Sequence, residues 1–176
     1  IQEYKYNPEL PLILCFDFNT SPGICVAGQR INDYFIVFDE IYIQKGSNTV
    51  KVCSEIIKRY SSIQKNDLCL YGDASGGNTT TSNIMGSDWT LIESILSEQF
   101  NCRVLKYIPK SNPSIRKRVN SLNSMIMSSA GAIKLFITAS CKHTIEDFQK
   151  TVSDSLGNPD KRDKATTHIT DAIGYY

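Results

Sequence analysis

Three aspartates stand where this sequence can least absorb a bare charge. Asp17 closes the apolar run Leu12-Ile13-Leu14-Cys15-Phe16, with Phe18 beyond it, and Asp73 closes a second run, Leu68-Cys69-Leu70-Tyr71-Gly72. Asp171 sits among Ile169, Ala172, Ile173, Tyr175 and Tyr176. A carboxylate at the end of a buried strand is costly unless it is hydrogen-bonded, paired or bound to a cation. Asp17 has a plain alternative role, capping the turn at Asn19-Thr20-Ser21-Pro22-Gly23, and Asp171 could lie on an exposed helix flank. If the two apolar runs are neighbouring strands, however, their ends set two carboxylates side by side. A divalent cation relieves that repulsion better than a shared proton at neutral pH. The three acids together fit a cluster that binds hard cations through oxygen.

Other side chains could support such a site. His168 precedes Asp171 by three residues and shares its helical face; it either nears the metals or belongs to a cap. Asn19 follows Asp17 by two and points to the same side, placed for a supporting hydrogen bond. Asp39-Glu40, at the end of a third apolar run, reads as a solvated strand pair, with recruitment as an extra site acid as the alternative. His143, beside Lys142, reads as surface. The formal net charge is +1, so no global field draws the chain to nucleic acid or membrane. Phosphates would have to be met by local clusters: Arg103, Lys106, Lys110 and Arg116-Lys117-Arg118, then Lys161, Arg162 and Lys164. Lys110, Arg116, Lys117, Arg118, Lys142, Lys161 and Arg162 are the candidate DNA contacts. Without interleaved aromatics, they predict backbone contact rather than base readout.

The elements that must position these residues follow from patterning. The 176 residues, 41% hydrophobic and 21% charged, suit one domain with a real core. Residues 1–11, with Pro8 and Pro11, read as a linker and 12–176 as the domain. The start at Ile1 and the stop at Tyr176, inside a helical segment, are expected to mark a piece of a longer protein. Six scattered cysteines without a CxxC pair predict buried free thiols in a reducing compartment. No apolar run nears the ~20 residues of a membrane span, and no signal peptide is expected from this sequence. Strands are predicted at 12–18, 24–31 and 34–43, the last two joined by an Asn32-Asp33 turn. A helix follows over 49–61 behind Ser47-Asn48-Thr49, then the run ending at Asp73 and a polar loop over 74–88. Asp88 is predicted to cap a helix over 89–100. A strand over 102–108 and a helix over 116–128 come next, then a short strand or hairpin arm over 132–138. Ser140 is expected to cap a helix reaching 152, and Thr166-Thr167 a last one from His168. Three meander strands followed by strand–helix alternation predict an α/β mixed sheet with helices on both faces.

This order, with acids ending strands one and four and a third on a late helix, resembles the ribonuclease H fold. Leu10-Pro11-Leu12-Ile13-Leu14-Cys15-Phe16-Asp17-Phe18-Asn19-Thr20-Ser21-Pro22 resembles the first acidic motif in the nuclease domain of tailed-phage terminase large subunits. Tyr71-Gly72-Asp73-Ala74-Ser75-Gly76 resembles the second, and Thr167-His168-Ile169-Thr170-Asp171-Ala172-Ile173-Gly174-Tyr175 the third. Arg118-Val119-Asn120-Ser121-Leu122-Asn123 is similar to an Arg-Val-Asn-rich helix of that family, and Cys141-Lys142-His143 to a segment before its closing loop. The pattern departs at Lys117, where many relatives carry an acid. The resemblance implies a metal-dependent endonuclease that cuts concatemeric double-stranded DNA during viral packaging. Asp17, Asp73 and Asp171 would hold two Mg²⁺ or Mn²⁺ ions. It further implies an N-terminal packaging ATPase domain outside this chain, a portal and a small terminase subunit as partners, and the cytoplasm of an infected bacterium as the setting. No GxxxxGK[ST] loop occurs here.

Two other functions fit parts of the pattern. An ATP-binding lobe of the actin or sugar-kinase type shares the core, and Asp17-Phe18-Asn19-Thr20 and Gly72-Asp73-Ala74-Ser75-Gly76-Gly77 imitate its phosphate loops. That fold needs two lobes, and Asn19 stands where a glycine would let a phosphate approach. A DNA-docking module with vestigial acids is disfavoured by the complete triad. Within nucleases, a junction resolvase or an integrase-like core shares the same features.

Overall fold

The computed structural model describes residues 3–18, 22–61, 67–77, 87–152 and 167–176. It contains β1 (Leu12–Asp17), β2 (Gly23–Ile31), β3 (Tyr34–Ile43), α1 (Thr49–Arg59), β4 (Leu68–Gly72), α2 (Asp88–Phe100) and β5 (Val104–Lys106). α3 (Ile115–Ile126), β6 (Leu135–Ile137), α4 (Lys142–Lys150) and α5 (His168–Ile173) complete it. The six strands form one sheet in the order β5-β4-β1-β2-β3-β6. β1, β2 and β3 pair antiparallel, while β4 lies parallel to β1 and β5 parallel to β4. This is the mixed sheet the patterning predicts, with strands one and four as neighbours. The 132–138 segment supplies β6, which joins the far edge parallel to β3 instead of forming a hairpin arm.

Alternation along β1 sorts its side chains to two faces. Leu12, Leu14 and Phe16 join the core beneath α1 and α2, with Val52, Ile56, Ile92 and Leu96. Ile13 and Cys15 join the opposite core, with Ile169, Ala172 and Ile173 of α5. Asp17 continues the second set, so the sheet's own period directs it toward α5. Cys69 and Tyr71 of β4 belong to that same face, and Asp73 continues it. Both sheet faces are covered, which is why these strands read as nearly unbroken apolar runs.

Several ends differ from the sequence expectation because other groups satisfy the backbone. Ser87, not Asp88, caps α2, its Oγ accepting from Thr90 N at 3.2 Å. β5 and β6 are three residues each, shorter than the runs expected from the sequence. Five cysteines are buried, Cys102 is intermediate, and all six are free. Residues 3–11 lie against the sheet: Tyr4 and Tyr6 pack on the core. The fully buried Gln29 donates to the carbonyls of Asn7 and Leu10 and accepts from Asn7 N and the Tyr4 hydroxyl. No described helix is long and apolar enough to cross a membrane.

Candidate carboxylate centre

The register of β1 with β4 sets Phe16 opposite Gly72, so Asp17 and Asp73 leave adjacent parallel strands at the same edge. Gly72 is needed there: a Cβ would lie 2.8 Å from the Phe16 carbonyl oxygen and 2.9 Å from the Trp89 ring. Trp89 in turn donates its indole N–H to the Asp73 carbonyl at 2.9 Å and packs edge-on against Phe18 and Phe16. A single turn of 3₁₀ helix (Ala74–Gly77) then bends the chain away. The Ser75 N–H donates to the Asp73 carboxylate, and Asn112 accepts from Ala74 N at 2.7 Å.

The third element is α5. Its buried stripe, Ile169, Ala172 and Ile173, follows the i, i+3, i+4 spacing and docks it on the sheet. His168 and Asp171 of α5, with Tyr175 just beyond the helix end, follow an i, i+3, i+7 spacing. His168 Nδ1 lies 3.0 Å from Asp17 Oδ2, and the Tyr175 hydroxyl donates to Asp73 Oδ2 at 3.3 Å. Asp171 Oδ1 accepts from Arg118 Nη1 of α3 at 2.9 Å, and the Arg118 guanidinium stacks 4.6 Å over the Tyr175 ring. The α5 segment thus carries Asp171 and makes contacts to both Asp17 and Asp73. Burial pushes the Asp73 carboxyl up, but the hydrogen bonds from Ser75, Asn112 and Tyr175 outweigh it and hold it below the usual carboxylate value. Burial also pushes the Tyr175 phenol up to about 12, against the pull of Arg118, so Tyr175 remains a donor at neutral pH.

Among the described residues, no three His, Cys, Asp or Glu side chains are gathered closely enough to hold a metal ion. Asp17 engages His168, Asp171 engages Arg118, and Asp73 engages Ser75 and Tyr175. The donor set nevertheless suits a hard divalent cation: three carboxylates, carried by two strand ends and one helix, all offering oxygen.

The other candidates are dispersed. Lys110, Arg116, Lys117 and Lys142 are exposed. Arg118 is not part of that surface; its side chain is 10% exposed and paired with Asp171. Arg103 and Lys106 are tied to Asp67 and Glu93. Asn19, Lys161 and Arg162, like most of the 74–88 loop, lie outside the described residues. Asp39 remains partly exposed while Glu40 is largely covered, and both are engaged by neighbouring side chains or backbone. Asp39 accepts from Arg59 and Tyr60, and Glu40 binds the start of α4 through His143 N and Thr144 N at 2.8 and 2.6 Å. The His143 ring stacks on Tyr42 and lies 2.9 Å from Glu40.

Sequence reading missed the supports of α5. Thr167 does not cap the helix with its side chain and adopts a left-handed backbone, φ 75°. The cap comes from Asp147 of α4, which accepts from Thr167 N, from Ile169 N at 2.9 Å and from Thr170 N at 2.8 Å. Ser140 likewise does not cap α4, since Glu40 takes that place. Tyr175 was legible as an aromatic closing the third motif but not as a partner of Asp73, although its i+4 spacing from Asp171 marks the shared side.

No protein-family model and no curated protein matches this chain. Solved structures do. A large terminase from a thermophilic bacteriophage, in complex with ADP, superposes with a TM-score of 0.67 at 14% identity, over 99% of this chain and 40% of that one. The P22 large terminase nuclease domain gives 0.57 at 15% identity, over 99% and 84%. The human cytomegalovirus terminase nuclease domain, Mn soaked, gives 0.58 at 13% identity, over 93% and 80%. The chain therefore has the ribonuclease H-like fold of viral terminase nuclease domains. It spans about 40% of the length of the thermophilic phage's large terminase.

Proposed function

We propose that this chain is the metal-dependent endonuclease domain of a viral DNA-packaging terminase, cutting concatemeric double-stranded DNA by phosphodiester hydrolysis. The observation that carries this is the link between the strand ends and the α5 segment: His168 contacts Asp17, Tyr175 just past the helix contacts Asp73, and Asp171 lies between those two residues in sequence. Asp17, Asp73 and Asp171 would hold two Mg²⁺ or Mn²⁺ ions. Metal bound by these three residues would supply activation of the attacking water and charge stabilisation at the leaving 3′ oxygen. The protein's own part is orientation. His168 fixes one oxygen of Asp17, and Arg118 fixes one oxygen of Asp171 while offsetting its charge. Ser75 and Tyr175 keep Asp73 ionised and aimed. The exposed Lys110, Arg116, Lys117 and Lys142 meet backbone phosphates without reading sequence, joined by Lys161 and Arg162. A packaging ATPase domain, a portal and a small terminase subunit are the partners this reading brings, within an infected bacterial cell. The fold shared with the P22 and cytomegalovirus nuclease domains supports it.

The test is nicking of supercoiled plasmid in Mn²⁺ or Mg²⁺. Nicking should vanish in EDTA and fall at least about 100-fold in Asp171→Asn, the loss of a few kcal/mol of charge stabilisation. A folded chain that cuts equally well in EDTA, or an Asp171→Asn variant as active as the parent, would contradict it.

A further inference from the structure

We infer that Asp147 is a positioning residue for the carboxylate centre, acting through the first turn of α5; this rests on the nuclease reading above. Helix α5 has six residues, too few to be stable alone. Its first amide groups lack partners inside the helix, and Thr167, held in the left-handed region, leaves them uncapped by its own side chain. Asp147 satisfies them from another helix. Its Oδ1 accepts from Thr167 N, and its Oδ2 accepts from both Ile169 N and Thr170 N.

Asp147 is only 6% exposed, so the carboxylate is committed to these bonds. Buried charge is retained where several donors converge on it, and here the donors flank His168, which contacts Asp17. One turn further along the same helix is Asp171. A shift or rotation of the first turn would therefore move the contacts to two of the three acids together. Asp147 is itself held in register, because α4 begins on Glu40 of β3. The sheet thus reaches the site by two routes: directly through β1 and β4, and through Glu40, α4, Asp147 and α5. The second route fixes where α5 sits relative to the strand ends.

The experiment compares the parent chain with Asp147→Asn and Asp147→Ala. Plasmid nicking is followed across a Mn²⁺ series, DNA affinity is measured in EDTA, and hydrogen exchange is measured at the Ile169 and Thr170 amides. Asparagine keeps one acceptor oxygen and alanine none. The half-saturating Mn²⁺ concentration is expected to rise about 10-fold for asparagine and more for alanine, in the range seen when groups supporting metal ligands are removed. Excess Mn²⁺ should restore the asparagine variant's rate, DNA affinity should stay within about twofold, and the two amides should exchange faster. A purely structural role would lower the rate at every Mn²⁺ concentration alike and weaken DNA binding with it, which would overturn the inference. An unchanged Mn²⁺ half-saturation would overturn it as well. A parent chain that neither binds Mn²⁺ nor cuts overturns the nuclease reading, and the inference with it, before any variant is compared.

Discussion

An added methyl group at Gly72 would meet the Phe16 carbonyl oxygen on one side and the Trp89 ring on the other. That crowding locates Asp73, because the residue before it cannot move away from β1 without opening the strand pair. Gly72→Ala should cost about 1–3 kcal/mol by overpacking and lower the thermal midpoint by several degrees. Calorimetric unfolding checks it; an unchanged midpoint would mean that the strand ends are looser than this packing implies. Trp89 acts on the same residue through its bond to the Asp73 carbonyl. Trp89→Phe keeps most of the aromatic packing but removes that donor, and should destabilise by about 1–2 kcal/mol. Urea unfolding of the two proteins side by side measures the difference. Asp17 and Asp73 were legible in the sequence because a charge ending an apolar run has few inexpensive explanations. Arg118 was legible as one member of a basic run and as the head of the Arg-Val-Asn stretch, but its pairing with Asp171 spans 53 residues, and no local pattern records it.

Elements divide in the same way. The 34–43 strand and the 49–61 helix were readable because their signals are local: β-rich apolar residues around an Asn-Asp turn, and an apolar stripe behind Asn48, whose side chain accepts from Lys51 N. The last two helices were readable as helices but not in how they are held. Glu40 reaches α4 across 104 residues and Asp147 reaches α5 across 20 or more. A faint signal existed: Asp147 shares a helical face with Thr144 and Phe148, where an acid on an otherwise inward stripe needs an explanation. Glu40→Ala should leave the α4 amides and the Thr144 hydroxyl without their acceptor and cost about 1–3 kcal/mol. Hydrogen exchange should show α4 opening more readily while α1 and α2, on the other sheet face, keep their protection. Equal loosening of all helices would contradict that assignment.

At the scale of the whole molecule, the sheet separates two tasks. One face packs α1 and α2 into an apolar layer that stabilises the strands. The other packs α5 against Ile13, Cys15, Ile24 and Val26, and the carboxylates emerge at the edge of this second layer. The side-chain alternation that builds the two cores also aims Asp17 and Asp73 toward α5, so fold and site share one periodicity. Chains with 13–15% identity share this architecture, as expected when a fold depends on patterning more than on particular core residues. In the proposed function, Asp17, Asp73 and Asp171 form one cation-binding centre. Mn²⁺ titration by isothermal calorimetry of the parent chain and of the three single Asp→Asn variants tests it most directly. Saturable binding by the parent and at least about 10-fold weaker binding in every variant are expected. A parent without Mn²⁺ binding, or variants that bind as the parent does, would contradict it.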